Sequence, residues 1–238
     1  MEGPGVFLIR EKLLFLKGKK IIAVGGNTKQ NKTLLIGKTV KDVKSIGKRL
    51  IFEFDDVYLI IHFLMYGSYS INERRENKQK RLSLKFENYE LDFYNCSVKI
   101  VNVLNLDETV DVMSEKFDVF KAKEKIKSYD GLITDILLDQ NVFAGVGNII
   151  KNEALFRAKV HPLKLAKDLS EEEIDKLIDE TLKFSRIFYE CRKRGIMLKR
   201  ELKIYGKKIC SDCGEKIVVK KLGQSNRRTY YCNNCQKL

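Results

Sequence analysis

The chain has 238 residues, 44% of them hydrophobic, which is enough to bury a substantial core and excludes a disordered tail. Lys and Arg number 46 against 32 Asp and Glu, and the resulting net charge of +14 favours a polyanionic partner such as nucleic acid. No unbroken apolar stretch reaches membrane-spanning length, and the first residues lack the charged-then-apolar pattern of a secretory signal. The expectation is therefore a cytoplasmic protein with no membrane partner.

After an MEGPG turn, Val6, Ile9, Leu13 and Leu16 recur at helical spacing and predict an amphipathic helix ending near Gly18. The bulk of Glu2 implies that Met1 is retained, so an α-amine stands beside a carboxylate just ahead of a rigid element. From Val40 to Val103 the pattern is that of strands. Leu50, Phe52 and Phe54 alternate, Asp55-Asp56 marks a turn, and VYLIIHFLMYG follows as a largely buried run. Leu82, Leu84 and Phe86 alternate next, Glu87-Asn88-Tyr89 turns the chain, and ELDFYN returns, which predicts an antiparallel sheet domain. NERRENKQKR at 72–81 reads as a mobile, solvated hairpin loop.

Helical periodicity takes over at about Met113. Pro162 is expected to end one helix, and SEEE at 170–173 is a capping box opening another, with Ile174, Leu177 and Ile178 on one face. His62, in a strand, and His161, before a proline, read as structural residues, and Cys96 and Cys191 as buried thiols.

The other four cysteines fall in the last 29 residues as Cys210-x2-Cys213-x18-Cys232-x2-Cys235. This is the spacing of a tetrahedral structural zinc site holding one Zn2+; a redox C-x-x-C would occur once and in a βαβ context. Four thiolates leave no open position for water, so the metal's expected role is to hold a hairpin: KIVVKKL, a GQSN turn, then RRTYY. Lys216, Lys220, Lys221, Arg227 and Arg228 make that hairpin a probe for a phosphate backbone.

Gly145-Val146-Gly147-Asn148 is a turn opening a helix, where glycines permit close backbone approach and free N–H groups face outward. A dinucleotide fingerprint is disfavoured, because the third glycine and a leading strand are both missing, and taken alone the turn reads as simple helix punctuation.

Taken in order, EGP, GKRLIFEF, IHFLMYGSY, LLDQNVFAGVGNIIKNEALF, LKIYGKKIC and RRTYYCNNCQ resemble the formamidopyrimidine-DNA glycosylase/endonuclease VIII family of base-excision repair enzymes from end to end. The resemblance implies an α+β multidomain fold. An N-terminal antiparallel β-sandwich catalytic domain (1–112) would precede a helical helix-two-turn-helix domain (113–208) and a zinc-finger hairpin (209–238), with DNA lying in the cleft between the two halves.

It also implies site residues. Met1 falls at the position of the amine nucleophile, normally proline, that attacks C1′, and Glu2 at that of the assisting glutamate. Lys48 matches a lysine near the reacting nucleotide's phosphate, and Asn148, at the Gly145/Gly147 turn, matches a phosphate-binding asparagine. Arg227 matches the hairpin arginine that grips phosphates, while Met65, with Leu64 and Tyr66, corresponds to the residues filling the gap left by a flipped base.

An α-amine suits this chemistry, because with a pKa of about 7.7–8.0 it is neutral at pH 7 far more often than a lysine at about 10.4. The first position departs from the family's proline, and a primary amine gives an imine that must be protonated to act as an electron sink. Gly5 stands where many relatives carry glutamate. The stretch from Arg192 to Cys210 is short for a loop capping an oxidised purine, so oxidised pyrimidines and the endonuclease VIII side are favoured.

The expectation is a bifunctional DNA glycosylase/AP lyase, monomeric and acting on damaged double-stranded DNA. The competing class is a damage-binding protein that kept the clamp and lost the nucleophile. A third, a zinc-ribbon RNA-binding protein, leaves the N-terminal residues unexplained.

Overall fold

The computed structural model describes residues 1–73, 75 and 78–238. The chain divides into two units, Met1 with Val6–Leu106, and Glu2–Gly5 with Asp107–Leu238.

The first unit is built on α1 (Gly3–Leu13) from Val6 onward and on six strands: β1 (Ala23–Gly25), β2 (Asp42–Ile46), β3 (Arg49–Glu53), β4 (Tyr58–Ile71), β5 (Leu82–Lys85) and β6 (Glu90–Val101). All pair antiparallel in one hydrogen-bonded network of order β1-β5-β6-β4-β3-β2. Period-two spacing sends Leu50, Phe52, Leu59, Ile61, Leu82, Leu84, Leu91 and Phe93 into one core, where Val6, Ile9, Leu13 and Leu16 also lie. The expected first helix is therefore present, although it begins at Gly3, inside the segment read as a turn, since a proline such as Pro4 is tolerated in the first helical turn. Strand structure also begins earlier than expected, with the short β1. The 72–81 loop falls partly on Arg74, Glu76 and Asn77, outside the described residues.

The VYLIIHFLMYG run is not buried throughout. Val57, Leu59, Ile61 and Phe63 are buried, the residues between them partly so, and Leu64, Met65 and Tyr66 are exposed. The cause lies in the register of β4 against β6, which runs from Phe63↔Cys96 directly to Ser68↔Tyr94. Four residues of β4 thus stand against the single Asn95 of β6, and the surplus bulges outward.

The second unit contains α2 (Val119–Lys127), α3 (Ile133–Ile136), α4 (Asn148–Ala158), α5 (Glu171–Lys193) and a hairpin of β7 (Val218–Leu222) and β8 (Arg227–Tyr231). Helix α5 opens with the expected capping box, Ser170 and Glu173 bonding each other's backbone amides, and buries Ile174, Leu177 and Ile178. Pro162 does not end α4. Lys159 does, in the left-handed region at φ 62°, so the helix has already stopped when the proline is reached.

Helix α4 is enclosed nearly all round. Ile150, Ala154, Leu155 and Ala158 enter the helical core, while Phe156 joins Ile204, Cys210, Ile217 and Cys232 in a smaller cluster under the cysteine module. Lys151, Asn152 and Glu153 are completely buried as well, and polar side chains in that position need partners.

Candidate active site and nucleic-acid interface

The start of α4 organises the helical unit. Its N-cap, Gly147, has no side chain to satisfy the first amides, and Glu2 supplies the cap from the other end of the sequence. Glu2 Oε1 accepts the Ile149 N–H at 2.8 Å, and Oε2 accepts those of Gly147 and Ile150 at 3.2 Å each. A carboxylate at this end of a helix is also favoured by the helix dipole. One turn earlier, the Gly3 N–H donates to the Gly145 carbonyl at 2.9 Å.

These approaches explain the glycines of EGP and GVGN as one packing unit. A Cβ on Gly3 would lie 2.6 Å from Gly145 Cα, and one on Gly147 would lie 2.5 Å from Glu2 Cδ. The peptide carrying the amino terminus is thereby fixed at the residue next to it.

The hairpin is docked on the same helix by side chains that imitate a strand edge. Asn148 Nδ2 donates to the Arg228 carbonyl at 2.9 Å, and Asn152 Oδ1 accepts the Tyr230 N–H at 2.6 Å. At the hairpin turn, Asp135 of α3 accepts the Gln224 N–H at 2.8 Å, and a Cβ on Gly223 would lie 2.1 Å from its Oδ1. Between these anchors, Lys151 Nζ donates to Thr229 Oγ1 at 2.8 Å, and Thr229 Oγ1 donates to the Arg227 carbonyl at 3.2 Å. The Arg227 and Arg228 side chains remain exposed. Further along α4, Glu153 accepts the amides of Lys203, Ile204 and Tyr205 and so orders the short segment before Cys210.

The four cysteine sulfurs lie within 4.8 Å of one another. Cys210 and Cys235 Sγ are 3.7 Å apart, and Cys213 and Cys232 Sγ 3.5 Å. A tetrahedral ion with metal–sulfur bonds of about 2.3 Å calls for about 3.8 Å between sulfurs, so the set fits one metal ion with no position left over. The module is tied back to the end of α4 by Gln236, which donates to the Val160 carbonyl at 2.7 Å, and by the edge-on contact of His161 with Tyr231.

In the sheet unit the bulge between β4 and β6 forms a turn that presents Leu64, Met65 and Tyr66, with 45%, 65% and 87% of their surfaces exposed. Three consecutive apolar side chains facing water are held there by backbone geometry. Tyr66 takes φ 64°, Asn95 takes φ 47°, and Asn95 Nδ2 donates to the Met65 carbonyl at 2.5 Å. Gly67 is required because a Cβ would sit 2.7 Å from the Asn95 carbonyl.

Lys48 lies in the β2–β3 turn, where its carbonyl meets His62 Nδ1 at 3.1 Å. Burial holds the His62 pKa below the ordinary imidazole value; the Lys48 carbonyl opposes this, and the charges of Arg49, Lys48 and the amino terminus add to it. The Met1 amine and Lys48 thus act electrostatically on the same strand residue. Cys96 is the buried thiol the sequence suggested, and desolvation pushes its pKa up to about 11, which disfavours the reactive thiolate.

The structure therefore gathers Glu2, Gly145, Gly147 and Asn148 at one helix start, with Arg227 fixed beside them, and places Leu64, Met65 and Tyr66 on one turn. Sequence reading missed Lys151, Asn152, Glu153 and Asp135. The polar pair Asn148/Asn152 at helical spacing was the one available signal.

The formamidopyrimidine-DNA glycosylase N-terminal domain model matches residues 2–96, and the H2TH domain model of the same enzymes matches residues 109–195. A formamidopyrimidine-DNA glycosylase of Oceanobacillus iheyensis is 32% identical, over 99% of this chain and 97% of its own length. Endonuclease 8-like 3 of Xenopus laevis is 34% identical over 95% of this chain, which spans only 39% of that relative's length. Among solved structures, the Lactococcus lactis glycosylase bound non-covalently to DNA containing an AP site superposes with a TM-score of 0.86 at 29% identity, each chain covered completely. The same enzyme in complex with DNA containing an oxidised pyrimidine gives 0.86 at 28% identity, again over the whole of both chains. The chain belongs to the formamidopyrimidine-DNA glycosylase/endonuclease VIII family.

Proposed function

We propose that this protein is a base-excision DNA glycosylase with AP lyase activity, acting as a monomer on damaged double-stranded DNA and favouring oxidised pyrimidines. The observation that carries this reading is the clamping of Glu2 on three amides at the start of α4, which turns the amino-terminal peptide into a fixed element.

The Met1 α-amine attacks C1′ and the base departs with its bonding electrons. Loss of a proton from nitrogen and opening of the sugar leave an imine between Met1 and C1′. Protonated, that imine accepts the electrons released when a proton leaves C2′, and the 3′ phosphate is expelled; δ-elimination then expels the 5′ phosphate. Glu2 carries the protons, because a positioned carboxylate is the general acid–base group next to the amine. Lys48 serves the phosphate region of the reacting nucleotide.

Asn148 and Arg227 grip the backbone around the lesion. The apolar turn of Leu64, Met65 and Tyr66 fills the duplex when the damaged nucleotide is extruded. The cysteines hold one Zn2+ through Cys210, Cys213, Cys232 and Cys235; bound there, it supplies structure and no open coordination site. No helix among the described residues is long and apolar enough to cross a membrane, and we place the protein in the cytoplasm, with the nucleoid if its source is bacterial. The three domains expected from sequence, 1–112, 113–208 and 209–238, remain our functional division of the chain.

The test is incision of duplexes carrying one thymine glycol or one abasic site. Base release and strand cleavage on both support the reading. Cleavage at the abasic site alone reduces it to a lyase, and tight lesion binding without cleavage of either leaves a damage sensor.

A further inference from the structure

We infer that Lys151 is a positioning residue for the phosphate grip: enclosed beneath the hairpin, it fixes the backbone of Arg227 through Thr229 and places a charge under the anion site. The inference rests on the assignment of Asn148 and Arg227 as phosphate-binding residues.

Lys151 and Thr229 are both fully buried, and neither contributes to an apolar core. The ammonium has three hydrogens and, among the described residues, makes one hydrogen bond, to Thr229 Oγ1, whose own hydrogen goes to the Arg227 carbonyl. A lysine kept out of water with so little compensation is costly, and methionine or leucine would fill the volume at lower cost. A charge retained at a net loss in stability, one turn into the helix that starts with Asn148 and directly against the strand that starts with Arg227, points to a use.

Desolvation brings the Lys151 pKa down to about 8; Asp135 raises it, Arg227 lowers it, and Glu2 raises it. These are the charged groups facing it from α3, β8 and the amino-terminal segment. A phosphate dianion or diester laid over Asn148 and Arg227 adds negative charge and favours the protonated form. A buried charge is screened by salt less than a surface one, so Lys151 continues to attract the phosphate at ionic strengths that silence the exposed lysines.

The sign of the pH dependence follows. Above about pH 8 the free protein has lost the Lys151 proton, and DNA binding must take one up, so affinity falls as pH rises through this region.

The experiment measures binding of the zinc-loaded full chain to a duplex with a tetrahydrofuran abasic analogue, from about pH 6.5 to 9.5, for wild type, Lys151→Met and Thr229→Val, with thermal melts alongside. Lys151→Met is expected to melt at the wild-type temperature or above it, to bind about tenfold more weakly at neutral pH, and to lose the alkaline fall in affinity. Thr229→Val keeps the charge and breaks the link, so it retains the alkaline fall while binding more weakly at every pH. Equal affinity and an equal pH profile in Lys151→Met overturn the inference, as does a lowered melting temperature that accounts for its weaker binding. Failure of the wild type to bind the duplex overturns the phosphate-site reading beneath it.

Discussion

The turn at residues 64–66 and the helix α4 invert the usual rule of burial in opposite directions. The first exposes three large apolar side chains on the bulge of an interior strand; the second buries a lysine, an asparagine and a glutamate inside a helical unit. The exposed apolar turn is cheap to maintain, because a bulge and two left-handed residues hold it without packing. The buried polar helix is expensive: partners in the hairpin and in the segment before Cys210 offset the cost for Asn152 and Glu153, and only in part for Lys151. Function at the turn should therefore be separable from stability; at the helix the two should fall together at Asn152 and Glu153, whose partners are backbone amides, and separate at Lys151, whose buried charge costs stability.

The largest effect is expected at the hairpin. Chelation of the metal, or Cys232→Ser, should release the module and remove measurable DNA affinity, checked by fluorescence anisotropy before and after zinc is restored. Glu2→Gln comes next. It loses the charge at the helix start and the proton carrier together, so single-turnover base release should fall by at least about 100-fold, with a stability loss of about 1 kcal/mol in urea melts. Asn152→Ala leaves the partly buried Tyr230 N–H without this acceptor and should cost about 1 to 2 kcal/mol of stability by chemical denaturation.

Met65→Ala is the contrasting case. Stability should stay within about 0.5 kcal/mol of wild type, while excision from duplex DNA slows; an equal loss of both would break the contrast between the two regions. The smallest effect concerns His62. Its folded pKa is depressed, so the unfolded state binds more protons, and stability is lost as pH falls below about 6.5 through the folded value. Thermal melts at about pH 7.5 and 5.5 should show a drop that is shallower in His62→Phe.

How much of this could be read from the sequence differs between the regions for a physical reason. The strands from β2 to β6, the capping box at Ser170 and the four cysteines are local signals, written in period-two spacing, a four-residue motif and C-x2-C repeats, and each lies where it was expected, whereas the short β1 was not foreseen. The exposure of Leu64, Met65 and Tyr66 was hidden, because a bulge is a mismatch between two strands and neither strand records it alone. The roles of Lys151 and Asn152 were hidden more deeply. Their partners Thr229 and Tyr230 lie 78 residues away, and within α4 these residues look like an ordinary solvent face. The glycines of GVGN were legible as a turn, but the reason for Gly147 is Glu2, at a separation of 145 residues.

Borohydride trapping on duplex DNA carrying an abasic site, followed by proteolysis and mass mapping of the adduct, tests the central claim most directly. One adduct on the Met1 α-amine, abolished when that amine is acetylated, is the predicted result. An adduct on a lysine side chain, or none from a protein that binds the duplex tightly, would contradict it.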